Sequence, residues 1–350
     1  MKFDATSYLR KRLLELKPYQ SARQEFVSNG ESMIFLDANE SPYETDLNRY
    51  PDPLQLELKA LIAKWKGMRI EQLYLSNGSD EFISQVIMGC CEPEKEAIMI
   101  ASPTFGMYKV AAALHGVQVF EVPLTQTFEL DVDTLLDRAD ETVKILFIAN
   151  PNNPTANAFK PEALARILDH FPGLIVIDEA YSEFHDAPSY ISQLDKYPNL
   201  LVCQTFSKAQ GLAGARLGIA YGHPDLISFF NRIKAPYNIN TLTLSTAIQK
   251  IDKQEVVKNQ VKLIIEERKR LEDAFSTIEC IQKCYPSDAN FLLIQVDDAA
   301  LRYKQLIDKG IVVRNTSKYL HCENTLRITV GLPEENQALI KAFQSLNPIK

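Results

Sequence analysis

Between Leu73 and Tyr221 the chain returns again and again to one pattern: a short, mostly apolar run, a turn or helical stretch, then another run. The runs Ala97–Ala101, Val117–Val122, Lys144–Ala149, Leu174–Asp178, Leu200–Thr205 and Leu217–Tyr221 are rich in aliphatic residues and have strand length. Strands of this kind, separated by helical segments, predict a mainly parallel sheet covered by helices. Several runs end in polar or turn residues: Asn77-Gly78-Ser79-Asp80, Asn150-Pro151-Asn152-Asn153-Pro154, Asp178-Glu179 and Ser207-Lys208. In open α/β sheets the crevice beyond the carboxyl ends of the strands holds the ligand, so these residues are expected to converge there.

The C-terminal third reads differently. Residues 240–275 carry spaced aliphatics among Gln, Glu and Lys without proline, which predicts a long helix linking two domains. Beyond it, Phe291–Val296, Ile311–Val313 and Leu326–Val330 read as strands beside helices near 299–308 and 333–345. The 350 residues therefore divide into a large α/β domain, 30–245, and a smaller α+β domain. The smaller one combines 246–350 with 1–29, whose helix around Ser7–Leu16 is expected to complete it. No internal repeat interrupts this plan.

A formal charge of −7 and a pI near 5.4 give no general attraction to nucleic acid or an anionic membrane, so any anionic ligand must be held by local groups. Cys90, Cys91, Cys203, Cys280, Cys284 and Cys322 make no CxxC pair and read as free thiols. His115, His170, His185, His223 and His321 form no metal pattern, so no metal is expected. Without an apolar leader or a membrane-length run, a reducing cytoplasm is the expected location.

The strongest chemical constellation is Asp178-Glu-Ala-Tyr181 followed, thirty positions after Asp178, by Lys208 within Thr205-Phe-Ser-Lys208, then Gly211, Gly214, Arg216 and Gly218. A lysine amine can form an imine, and a carboxylate can keep a pyridine nitrogen protonated, which together suit an electron-sink cofactor. Alone, Asp178 could be a helix cap and Lys208 one lysine among many. Ser207-Lys208 as a hydrolase dyad lacks a GxSxG elbow and an ordered acid and histidine downstream.

Together with Asn150-Pro-Asn-Asn-Pro154 the pattern resembles the fold-type I aminotransferases, and within them the histidinol-phosphate aminotransferase branch. Further matching segments are Pro18-Tyr-Gln-Ser-Ala-Arg23, Leu36-Asp-Ala-Asn-Glu40, Arg49-Tyr-Pro51, Asn77-Gly-Ser-Asp-Glu81, Pro103-Thr-Phe-Gly-Met-Tyr108, Gly211-Leu-Ala-Gly-Ala-Arg216 and Leu326-Arg-Ile-Thr-Val-Gly331. The resemblance implies a seven-stranded sheet sandwiched by helices and pyridoxal 5′-phosphate as cofactor. It implies Lys208 as the Schiff-base lysine, Asp178 at the pyridinium nitrogen, Asn153 and Tyr181 at the phenolic oxygen, and Tyr108 stacked on the ring. Ser79, Asp80, Ser207 and Arg216 would hold the cofactor phosphate. Tyr50 would reach it from the neighbouring subunit of a homodimer. Tyr19, Asn153, Arg314 and Arg327 would contact substrate. The implied reaction interconverts histidinol phosphate plus 2-oxoglutarate and imidazole acetol phosphate plus glutamate, in histidine biosynthesis. Within the same fold, an aromatic amino acid aminotransferase or a threonine-phosphate decarboxylase would keep the same core chemistry. Two positions depart from the family pattern: Ser41 stands after Asn39-Glu40, and Ala156 stands after Thr155, where glycine is common.

Overall fold

The computed structural model describes residues 3–17 and 33–347. Seven strands form one sheet: β1 (Leu73–Asn77), β2 (Ala97–Ser102), β3 (Gln118–Pro123), β4 (Val143–Ala149), β5 (Leu174–Asp178), β6 (Leu200–Thr205) and β7 (Leu217–Tyr221). Their spatial order is β1-β7-β6-β5-β4-β2-β3. The pairs from β6 through β3 are parallel; β7 runs antiparallel to both β6 and β1. The mainly parallel sheet expected from the apolar runs is present, and its central strands are buried along their length.

Alternation along each strand sends successive side chains to opposite faces. In β5, Ile175 and Ile177 enter one apolar layer with Leu164 and Ile167, while Leu174 and Val176 enter the other with Phe82 and Val86. Each fully buried aliphatic side chain contributes roughly 1.5–3 kcal/mol, so the two layers fix the strand register and with it the carboxyl edge. Gly78–Cys90 begins immediately after β1 and buries Phe82, Ile83, Val86 and Ile87 against the sheet, which aims its N-terminus at that edge.

The second sheet is antiparallel, in the order β10-β11-β9-β8, from β8 (Ile281–Cys284), β9 (Phe291–Val296), β10 (Arg314–Asn315) and β11 (Thr325–Thr329). It packs with Leu271 and Phe275 of the helix Gln254–Phe275, Leu306 of Ala299–Asp308, and Leu339, Ile340 and Phe343 of Pro333–Gln344.

Three sequence expectations shift. The stretch 240–275 is two helices, Thr241–Ile251 and Gln254–Phe275, broken at Asp252-Lys253. Thr241–Ile251 buries Ala247 and Ile251 in the large sheet's core, whereas the later helix ends in the small core. Ile311–Val313 is not a strand: Ile311 and Val313 pack on the small core and Val312 faces solvent, but ladder pairing begins only at Arg314. The N-terminal segment, expected on the small domain, lies on the large one within 3–17. Ala5 and Leu9 are buried with Val86 and Phe229, and the Arg10 amide donates to the Gly89 carbonyl at 2.9 Å. The Arg10 guanidinium also pairs with Glu92 at 3.1 Å.

Candidate active site

At the carboxyl edge of the large sheet lies a pocket of about 170 Å³ lined by residues from five strand ends or the turns after them. Asp178 closes β5 and is almost fully buried. Its Oδ2 accepts from the Tyr108 hydroxyl at 2.8 Å and its Oδ1 from the Ala180 amide at 3.0 Å. Burial pushes this carboxyl up to about 6, against those two hydrogen bonds, which pull it down. A buried carboxylate aimed into a pocket is stabilised further by a cationic N–H partner.

Lys208 extends from the turn after β6 into the same pocket, its Nζ 5.6 Å from the centre of the Tyr181 ring. Desolvation and then the Arg327 guanidinium hold its pKa below the ordinary lysine value, while Asp178 opposes the shift. The uncharged amine is the nucleophilic form, so this environment suits imine chemistry. Asn153 donates its amide to the Tyr181 hydroxyl at 3.3 Å and accepts from Arg327 through Oδ1. Burial raises the Tyr181 phenol to about 12, with Arg327 pulling the other way, so it stays a donor at neutral pH.

Opposite the carboxylate is an anion cup. Gly78 opens its helix at φ +71°, which gives the backbone a tight entry that an L side chain would strain. A Cβ there would meet the Arg216 guanidinium at 2.6 Å, and one on Gly218 would meet the Ser79 amide nitrogen at 2.5 Å. Both glycines thus permit β7, Arg216 and the helix N-terminus to close around one small volume. Arg216, itself at φ +56°, reaches the Ser207 hydroxyl at 3.4 Å and pairs with Asp80 at 3.2 Å. Helix-start amides, a hydroxyl and a guanidinium are phosphate donors. The acidic Asp80 side chain orients Arg216 while its residue contributes to the helix start.

The structure brings Ser79, Asp80, Asn153, Asp178, Tyr181, Ser207, Lys208 and Arg216 together around the pocket. Tyr108 takes a different place from the ring-stacking one expected. It lies inside the first turn of Met107–Leu114, fully buried, stacked on Phe147 at 4.8 Å, with its hydroxyl on Asp178. Phe105, which precedes that helix, lines the pocket instead. The signal was present in Thr104-Phe-Gly-Met-Tyr108: the aromatic nearer the strand end faces the crevice, and the one already in helix faces the core. Thr205, Ala213, Ala149, Pro151 and Ala180 also line the pocket, although the sequence assigned them no role of their own.

Arg314 and Arg327 are direct cross-strand partners on β10 and β11, with Arg314 exposed and Arg327 half-buried. Like charges facing each other across a ladder disfavour pairing unless an anion lies between them. Tyr50 lies outside this chain's own pocket, half exposed and stacked on Tyr237 at 4.5 Å in a separate depression with Asn39, Glu40 and Arg49. Tyr19 lies outside the described residues. No cluster of His, Cys, Asp and Glu among the described residues could hold a metal ion. No helix among them is long and apolar enough to cross a membrane.

A reactive amine, a buried acid and a phosphate cup at one sheet edge define a site for a phosphorylated pyridine aldehyde, and the glycine cradle and donor set fit that group. The chain belongs to the aminotransferase class I and II family, whose model matches residues 36–343. It is 45% identical over 346 residues to the histidinol-phosphate aminotransferase of Flavobacterium johnsoniae, covering 99% of each chain. With the corresponding enzyme of Parabacteroides distasonis it shares 44% over 343 residues, 98% of this chain and 99% of the other. The structure of histidinol-phosphate aminotransferase from Sinorhizobium meliloti, in complex with pyridoxal 5′-phosphate, has the same fold. The TM-score is 0.78 at 24% identity, covering 85% of this chain and 83% of that one.

Proposed function

We propose that this chain transfers an amino group between histidinol phosphate and 2-oxoglutarate, forming imidazole acetol phosphate and glutamate, with pyridoxal 5′-phosphate as cofactor. The carrying observation is that one pocket joins the Lys208 amine, the buried Asp178 carboxylate and the Gly78–Arg216 cup. When bound, the cofactor supplies a protonated pyridine ring that accepts the electron pair released at the substrate carbon.

The chain's residues do the rest. Arg216, Ser207 and the amides at the start of Gly78–Cys90 hold the cofactor phosphate. Asp178 keeps a proton on the ring nitrogen, and burial strengthens that pairing. Asn153 and Tyr181, bonded to each other at the pocket wall, would donate to the cofactor's ring oxygen when it is bound. Phe105, which lines the pocket, would supply an apolar wall for the ring. With its amine free in the pocket, Lys208 would be the group that takes a proton from the substrate carbon and returns it one atom away.

Arg314 and Arg327 bind the phosphate of histidinol phosphate in one half-reaction and a glutamate carboxylate in the other, since both are anions suited to guanidinium forks. Arg327 also touches Asn153, so substrate binding is felt directly at the ring oxygen. Tyr19 is a further substrate contact. The break at Asp252-Lys253, between a helix packed on the large core and one that ends in the small core, lets these arginines approach the cup from a separate unit.

A homodimer with shared sites completes this reading. Tyr50, Leu47 and Leu242 are exposed in the depression that holds the Tyr50–Tyr237 stack, and an apolar surface of this kind suits a second copy that receives Tyr50 at its phosphate cup. The free thiols among the described cysteines fit a reducing cytoplasm.

The test is to mix cofactor-loaded protein with histidinol phosphate, follow the cofactor spectrum, then add 2-oxoglutarate and measure glutamate. Conversion to the amine form without carbon dioxide release is expected. Rapid reaction with phenylalanine and hardly any with histidinol phosphate would overturn the substrate assignment, as would release of carbon dioxide.

A further inference from the structure

Asn153 and Tyr181 sit on two separate loops of the large unit, and their mutual hydrogen bond depends on how those loops lie. One edge of the first loop is satisfied from the small unit. Asp288 accepts from the Ala158 amide through Oδ2 at 2.7 Å, and its own amide donates to the Ala156 carbonyl at 2.8 Å. Its other carboxylate oxygen lies 3.1 Å from His185 Nδ1, four residues past Tyr181 on the second loop. Arg268 ties the same places again, donating to the Ala289 carbonyl at 2.7 Å and the Phe184 carbonyl at 3.3 Å.

These contacts surround an apolar junction. Ala156, Tyr181, Phe184, Ala289 and Phe291 form a small apolar cluster of their own, with the Tyr181 ring edge-on to Phe291 at 5.1 Å. Ala156 holds φ +70°, a conformation a non-glycine residue adopts at a cost and keeps only when neighbours fix it. The Asp288 contacts at its own carbonyl and at the Ala158 amide two residues on are such a fix. Asp288 therefore bridges both loops from the small unit through its side-chain contacts to Ala158 and His185, and that unit also carries Arg314 and Arg327.

We propose that Asp288 is a positioning residue: by holding Ala156, Ala158 and His185 it sets the distance between Asn153 and Tyr181, and passes the small unit's attitude to the ring-oxygen site. The inference rests on the cofactor reading above. Loosening either donor leaves more negative charge on the ring oxygen beside the linked Lys208 nitrogen, which then holds its proton more tightly.

Asp288→Ala, Asp288→Asn and Asp288→Ser in the cofactor-loaded protein test it, read by pH titration of the cofactor absorbance together with KM and kcat. The Ala variant should raise the spectral midpoint by about half a pH unit or more and lower kcat roughly threefold to tenfold. The Asn variant keeps an acceptor for the Ala158 amide and should stay near wild type. The Ser variant is too short to bridge both loops and should behave like Ala, which keeps the test decisive if the Ala protein fails to fold. An unchanged midpoint and kcat in Ala or Ser overturns this inference alone. An Asn variant as altered as Ala also overturns it. A wild type that takes up no cofactor overturns the cofactor reading and this inference with it.

Discussion

At the phosphate cup, the amides at the start of Gly78–Cys90, the Ser207 hydroxyl and the guanidinium of the αL residue Arg216 are carried at the ends of strands buried on both faces. On the small unit, the proposed substrate face is two arginine side chains on a ladder only two residues long, one of them exposed. The cup is preorganised, and binding there costs little reordering. The arginine face is adjustable, and suits a site that must accept a phosphate in one half-reaction and a carboxylate in the other. The catalytic groups and the proposed recognition arginines are thus carried on different sheets, with Asn153 in contact with both Tyr181 and Arg327.

The sharpest way to break that division is to remove chemistry from the rigid side. Lys208→Ala should lower kcat by about a hundredfold to ten-thousandfold, the range for losing a positioned acid and base, with the protein's melting temperature little changed. Substantial residual turnover in a stopped-flow assay would place the base elsewhere. Arg327→Ala should cost roughly tenfold to a hundredfold in kcat/KM for histidinol phosphate, the worth of a charge-assisted hydrogen bond or two. Cofactor affinity should hardly move, and salt should raise KM for substrate far more than Kd for cofactor. Equal losses on both would show the two regions to be one.

Tyr108→Phe probes the support beneath Asp178. Losing the hydroxyl removes a bond that lowers the carboxyl, so its pKa rises above about 6. The ionised fraction then falls first at the acid end, and cofactor affinity should weaken by up to about tenfold at pH 6 and much less at pH 8. A pH-independent loss would mean that packing, not charge, is what the residue supplies.

The smallest effect concerns the back of the cup. Lys234, nearly buried, donates to Gln55 at 2.8 Å and to Asn238, which in turn donates to Glu81 at 3.0 Å. Burial, with the charge of Lys59 beside it, lowers Lys234 to about 7 from 10.5. Between those values the unfolded chain binds a proton that the folded one does not, so this group makes stability rise with pH across that window. Lys234→Met should flatten the pH dependence of the urea midpoint between pH 7 and 10. Parallel curves for variant and wild type would contradict it.

Much of the rigid side was legible because it is local in sequence: strand ends are marked where an apolar run meets Asn77-Gly78, Asn150-Pro151, Asp178 or Ser207-Lys208. Apolar periodicity placed the strands, and the strands placed their ends. What failed depended on tertiary partners. Tyr108 and Phe105 are both aromatic, and only the exact onset of the helix at Met107 decides which faces the crevice. Ile311–Val313 has strand-like character but lacks a ladder partner, and Leu9 finds its apolar neighbours on the large unit. Asp288 gave no signal at all, because an acid in a loop is ordinary until two other loops are seen to meet it.

Borohydride reduction of the cofactor-loaded protein followed by peptide mapping tests the central claim most directly. The account predicts the reduced pyridoxyl mass on the peptide containing Lys208 and on no other. Label on another lysine, or a protein that retains no cofactor to reduce, would contradict it.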